Sequence, residues 1–348
     1  MTKPTFTHIT RSKSQLKSRL LKSCLLKSSL LPRLLVAAMT AVTAPLAVAW
    51  TDKPVKMIVP APAGGTMDVV ARILAEQMSA DIGQPVVVDN KPGAGGAIAV
   101  QAMIAAPADG QTIMVTASNI LTEIPHVMKT AFDPLKDVRP VATVARASMV
   151  LVAGPAVQAQ DLKGLISFVK ANPGKLSFAS YSAGTSSQYA GMIFNQKAGL
   201  DLQHVPFAGS PPALVQVMGG QIAVMFDGIV TSMPQIKGGK LKAFGVASKT
   251  RSAHLPDVPT LAEQGFPELE FSNWLGTAVA SGVPAAIVDK INAATLKAAS
   301  APKVNDRLIA AGFEPNTSLS SAQLAQSVKA EFDRNAGIVK AFNIQLNQ

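Results

Sequence analysis

The sequence predicts an α/β protein built as two similar lobes with a cleft between them. Three observations predict it. Short apolar stretches of strand length recur along the chain, Gly, Pro or small polar residues end them, and many lead into segments whose apolar residues repeat at helical spacing. The succession occurs once before and once after an apolar strand between Val141 and Gly154.

The first unit sets the pattern. Val55, Met57 and Val59 alternate with Lys56 and Ile58 as in a largely buried strand, and Pro60, Pro62 and the Gly64-Gly65 pair end it. Val69, Val70, Ile73, Leu74 and Met78 then recur at helical spacing, with Thr66 or Asp68 placed to cap the helix. A glycine turn feeding a helix N-terminus leaves main-chain N–H groups free and aims the positive end of the dipole at the loop. That suits a carboxylate or phosphate. A second strand, 85–90, leads to the turn Pro92-Gly93-Ala94-Gly95-Gly96, a helix from Ala97 to Ala106 and a strand from Thr112 to Thr116, which together call for a parallel sheet covered on both faces.

The alternation restarts after Pro155. Helical segments are expected at 162–171 and 188–197, strands at 175–180, 204–207, 222–226 and 241–247, and a small polar loop at Ser182 to Ser187. A strand at 271–280 and helices at 285–300, 304–311 and 321–342 close the chain.

The first 49 residues hold five Lys and three Arg, no Asp or Glu, and end in an apolar run from Leu34 and the small-residue close Ala47-Val48-Ala49. This reads as a secretory signal cleaved before Trp50. The run falls short of the ~20 residues that span a bilayer, which disfavours a membrane anchor. Cys24 precedes that run, where no lipid-anchored cysteine is expected. Eight of the 32 basic residues leave with the signal, so 24 face 21 acidic ones and the mature charge is +3 instead of +11. Nucleic-acid binding thereby loses its main support. The only cysteine leaves too, which removes disulfide and thiolate chemistry from the mature chain.

Several motifs carry competing readings. The glycine turns imitate a dinucleotide-binding unit, but Ile98 stands where a third glycine should follow Gly93 and Gly95, and no phosphate-binding G-x-x-x-x-G-K-[ST] is present. Ser180-Tyr181-Ser182-Ala183-Gly184 is one glycine short of a nucleophile elbow, with His204 or His254 and Asp227 as possible triad partners in an exported α/β serine hydrolase. The favoured reading gives the hydroxyls to ligand binding and makes the histidines structural. Glu123 and His126 have a metal-like spacing, but Pro125 lies between them and no third ligand is evident, so no metal is expected.

Four stretches in order resemble the tripartite tricarboxylate transporter receptors, or Bug receptors: Ile58 to Arg72, Gly83 to Ala99, His204 to Asp227 and Leu255 to Gly276. The resemblance implies a two-lobed periplasmic binding protein fold with two crossovers, a central ligand cleft, and C-terminal helices that return to the first lobe. It also implies a receptor with no catalytic residue and no cofactor. The ligand is expected to be a small organic acid, and the partner a membrane transporter subunit or a sensor. The expected lobes are residues 50–150 with 275–348, and 151–274, in a monomer.

Gly64, Gly65 and Thr66 from one lobe, with Gly184, Thr185, Ser186 and Ser187 from the other, are the expected donors to the ligand. Asp227 is a candidate acceptor for a hydroxyl or ammonium group, or else a cap for the following loop. Neither loop contains Lys or Arg, so uncharged donors are expected to hold the carboxylate. The sequence departs from the family pattern at Ala61, at Ala97, at Ala208 and in the glycine-poor stretch from Tyr181 to Ser186, so ligand preference does not transfer directly.

Overall fold

The structure is a computed structural model and describes residues 50–316 and 320–344. The expected export segment, 1–49, lies outside the described residues. The first elements are β1 (Val55–Val59), α1 (Thr66–Ile82), β2 (Val86–Asn90), α2 (Ala97–Ile104), β3 (Thr112–Ala117) and α3 (Ser118–Thr122). The long strand β4 (Val138–Ala153) follows. Then come α4 (Leu162–Lys170), β5 (Ser177–Ser180), α5 (Ser186–Ala198), β6 (Gln203–Pro206), α6 (Ser210–Met218), β7 (Val224–Gly228), α7 (Ile229–Lys237) and β8 (Lys242–Val246). The chain closes with β9 (Ser272–Ala280), α8 (Ala285–Ala299), α9 (Pro302–Ala310), β10 (Glu314–Pro315) and α10 (Ser321–Ala341).

β4 organises both halves. Its first part, through Ser148, pairs with β9 and β10, and Met149–Ala153 pair with β7 and β8. The strands run in the order β2-β1-β3-β9-β4-β7-β5-β6. The parallel sheet expected from the sequence is present as β2-β1-β3, but β9 and β4 add to it antiparallel. The cause is connectivity, because both strands carry the chain between the halves and no helical crossover links them.

Burial follows the strand period. Val55, Met57 and Val59 enter one core with Val70, Leu74 and Met78 of α1, while Ile58 enters another with Met103, Met114 and Ile120. In the second half Met149, Leu151 and Ala153 pack with Phe178, Phe194 and Phe226, and Val150 and Val152 pack with Leu214, Val217 and Met233. Both sheets are thus covered on both faces, which is why their strands read as continuous apolar runs.

Helices α8 and α9 pack on the first half, where Val288, Ile291, Val304 and Leu308 share a core with Val55 and Met57. The last helix does more: Leu324 and Val328 belong to the first half's core, whereas Ile338, Val339 and Phe342 pack on the second half's. At about 1.5 Å per residue, a helix of this length reaches from one half to the other.

Candidate functional site

In an open α/β sheet, ligands bind beyond the carboxyl ends of the strands. Here the carboxyl ends of β1, β2, β3, β5, β6 and β7 all open on one cavity of about 290 Å³, and each is followed by a loop or helix start that lines it. Pro60 to Pro62 with Gly65 and Thr66 follow β1, Pro92 to Gly96 follow β2, and Ala117 and Asn119 close β3. Tyr181 to Ala183, Phe207 to Gly209 and Gly228 line it from the second half. Among the described residues no Lys, Arg, His, Asp or Glu lines the cavity.

The first-half loop is pinned by Asp68, whose carboxylate accepts from Gly64 N–H at 2.8 Å, Arg72 Nε at 2.9 Å and Asn90 Nδ2 at 2.9 Å. Burial pushes this carboxyl up, but the hydrogen bonds from Arg72, Gly64 and Asn90 outweigh it and hold the group below its ordinary value. The residue before the helix is Gly65, in extended conformation, with no side-chain cap; Thr66 is the first helical residue and Asp68 reaches back. The N–H groups of Thr66 and Met67, in the first turn of α1, have no acceptor among the described residues. The neighbouring loop curls through four successive residues of positive φ, Gly93 to Gly96. The position of Gly96, at φ +90° and with a Cβ that would stand 3.2 Å from Pro60 Cβ, favours glycine on backbone conformation above all.

The second-half loop is differently used. Gly184 N–H donates to Gln188 Oε1, Thr185 Oγ1 to Ser182 O and Ser187 Oγ to Phe226 O. Ser186 N–H, at the start of α5, donates to the carboxylate of Glu123 from the first half. Burial pushes Glu123 up to about 8, against the opposing hydrogen bonds from Ser186. Tyr189 Oη donates to Glu123 O, and Asn273 joins Ser118 Oγ to Ser186 Oγ. A protein carboxyl group therefore fills the very helix N-terminus that the sequence offered to a ligand.

Of the residues singled out from sequence, Gly65, Thr66 and Thr185 line the cavity; Gly64, Gly184, Ser186, Ser187 and Asp227 lie outside its lining. Asp227 is fully buried and accepts from Ser210 Oγ, Thr231 Oγ1 and Ser232 Oγ. Burial raises its pKa despite those hydroxyls. The serine-hydrolase constellation does not assemble: Ser182 Oγ donates to Ala183 O, and His204 Nε2 faces the buried Ser180 Oγ at 2.7 Å. Burial lowers the His204 pKa to about 4. Glu123 and His126 diverge, since His126 Nε2 meets Phe332 O while Glu123 meets Ser186.

Sequence reasoning passed over Asn119, Tyr181, Asn273 and the loop 206–209, all of which line the cavity. The available signal was their place: a polar pair, Ser118-Asn119, directly after a buried strand marks the end where α/β sheets bind ligands.

Two halves joined by strands around an uncharged cleft define a solute-binding protein of the periplasmic type. The chain belongs to the tripartite tricarboxylate transporter receptor family, whose description is "Tripartite tricarboxylate transporter family receptor" and whose model matches residues 70–344. It is a Bug-type solute receptor, one of a family of non-enzymatic binding proteins. It is 32% identical over 315 residues to protein BugT of Bordetella pertussis, covering 89% of this chain and 95% of that one. The structure of periplasmic binding protein BugD superposes with a TM-score of 0.81 at 32% identity, over 85% of this chain and 99% of the other. An R. palustris protein with adipate gives 0.81 at 28% identity, over 85% and 99%. MatC of Rhodopseudomonas palustris with bound malate gives 0.78 at 32% identity, over 83% and 99%. Among the described residues no helix is long and apolar enough to cross a membrane.

Proposed function

We propose that this chain is an exported, periplasmic receptor that closes around a small organic dicarboxylate and delivers it to a membrane transporter or sensor. One observation carries the reading: a cavity without a charged side chain, into which the open N-terminal turn of a 17-residue helix, α1, presents unused donors. Hydrogen bonds to a charged acceptor contribute about 1.5–3 kcal/mol each, so a few hold a carboxylate without an ion pair. The dicarboxylates adipate and malate in the related structures support the class of ligand.

In this reading residues 50–150 with 275–348, and 151–274, are the two lobes. The change of partners along β4 between Ser148 and Met149 supports that division. Thr66 and Met67 N–H of α1 bind one carboxylate, and the N–H groups of Ser182, Ala183 and Thr185, which have no acceptor among the described residues, cover the ligand from the second lobe. Gly65 and Thr66 are kept from the residues chosen on sequence; the second-lobe donors move from Ser186 and Ser187 to the loop before them.

Thr66→Pro tests the anchor. Proline is tolerated at the first helical position, and Gly65, at φ −73° and ψ 163°, has the backbone that a residue before proline prefers. The substitution removes the Thr66 N–H while α1 remains. Titration calorimetry with a panel of dicarboxylates is expected to show at least a roughly tenfold loss in Thr66→Pro and a smaller one in Thr66→Ala. Equal affinity of Thr66→Pro and wild type for the bound acid sinks the assignment.

A further inference from the structure

The polar side chains lining the cavity are nearly all engaged within the protein. Asn273 bridges Ser118 and Ser186, Ser210 donates to Asp227, and Thr185 and Ser182 donate to main-chain carbonyls. Tyr181 Oη meets Ser186 Oγ and Met149 Sδ, and Ser148 Oγ donates to Glu314. Two side chains stand apart. Thr66 Oγ1 forms no hydrogen bond to a described residue, and Asn119, only 4% exposed, has an amide oxygen with no donor.

A buried amide carbonyl left without a donor costs about 1–3 kcal/mol, so native proteins leave one only where something else supplies the bond. The spare capacity of the cavity is therefore of two kinds: main-chain donors, at the start of α1 and in the loop 182–185, and one side-chain acceptor at Asn119. A ligand that satisfies both carries an anionic end and, apart from it, a neutral hydrogen-bond donor. An ammonium group is the poorer match, because no Asp or Glu lines the cavity to balance its charge. A hydroxyl is the better one.

We infer that Asn119 is a specificity-determining residue that selects a hydroxy-carboxylate, its amide oxygen turning to accept from the ligand hydroxyl. The inference rests on the carboxylate-receptor reading above and sharpens its substrate class. It distinguishes among acids of equal length and charge, which the start of α1 does not.

Titration calorimetry on the mature protein with L-malate, succinate and L-aspartate, and with 2-hydroxyadipate and adipate, tests it. In the wild type the hydroxy member of whichever pair binds is expected to exceed its deoxy partner by roughly tenfold, with aspartate below malate. Asn119→Leu, similar in volume but unable to accept, is expected to erase that ratio. A deoxy acid that binds wild type as tightly as its hydroxy partner overturns the inference and leaves the receptor reading standing, and this comparison needs no variant to fold. A ratio that survives in Asn119→Leu overturns it equally. Failure of all five acids to bind overturns the receptor reading, and the inference with it.

Discussion

Replacing Glu123 with Gln tests how the two halves are joined. The Glu123 carboxylate comes from the first half, is 5% exposed, and accepts from the N–H that opens α5 in the second. Burial moves its pKa from an ordinary 4.5 up to about 8. The native protein therefore holds this proton to higher pH than the unfolded chain does. Its contribution to stability is fully present below 4.5 and is lost as pH rises through about 8. At about 1.4 kcal/mol per pKa unit the full effect is on the order of 5 kcal/mol, spread over that window. Gln keeps an acceptor for Ser186 N–H and cannot ionise. Glu331 and Arg334 of α10 also act on Glu123, and burial raises Glu331 too, but both remain in the variant. Urea unfolding of both proteins at about pH 5 and about pH 8 isolates the difference. The wild type is expected to lose several kcal/mol relative to Glu123→Gln between those conditions, and parallel pH dependences would refute the reasoning.

Gly209→Ala places a Cβ 2.4 Å from Pro62 Cγ, another residue of the cavity lining, at φ +125°, so it is expected to weaken ligand binding by roughly tenfold or more. Small-angle scattering should show less compaction with ligand than in the wild type; unchanged compaction contradicts the assignment. Asp68→Ala leaves Gly64 N–H and Asn90 Nδ2 without their carboxylate and is expected to cost about 3 kcal/mol in denaturant unfolding. Asp68 itself, held below its ordinary pKa, contributes stability that is lost as pH falls through its folded value, so Asp68→Ala should flatten the acid limb of the pH–stability curve. Gly276→Ala would put a Cβ 2.0 Å from Ala142 O where β9 meets β4, and a loss of about 3 kcal/mol or failure to fold is expected.

Strands and glycine loops were legible because each strand is an apolar run ended by Gly, Pro or small polar residues, and the structure places them within a few residues of expectation. The helices passed over have a common cause. α6 opens Ser210-Pro211-Pro212 and α7 carries Pro234 inside it, so prolines read as breakers hid both. α3 has five residues, too few for a period to show. The antiparallel crossings and the reach of α10 over both halves follow from chain paths that local patterning does not record. The Glu123–Ser186 bond spans 63 positions, and nothing in the spacing of Glu123 and His126 pointed to it.

The two halves repeat one device, a strand, a tight loop and a helix N-terminus, and use it in opposite ways. In the second half the buried Glu123 carboxyl, which holds its proton up to about pH 8, accepts the Ser186 N–H that opens α5, and the bond ties the halves together away from the cavity. In the first half Asp68 accepts from Gly64 N–H, Arg72 Nε and Asn90 Nδ2, and the N–H groups of Thr66 and Met67 in the first turn of α1 stay open to the cavity. A receptor with two open helix ends would draw a carboxylate to either lobe and gain little from bringing them together. With one end filled, a carboxylate is drawn, on the proposed reading, to the first-lobe helix. On the proposed reading, the second lobe then adds the neutral contacts that closure alone makes available, which is the condition for ligand binding to shift the population toward the closed form.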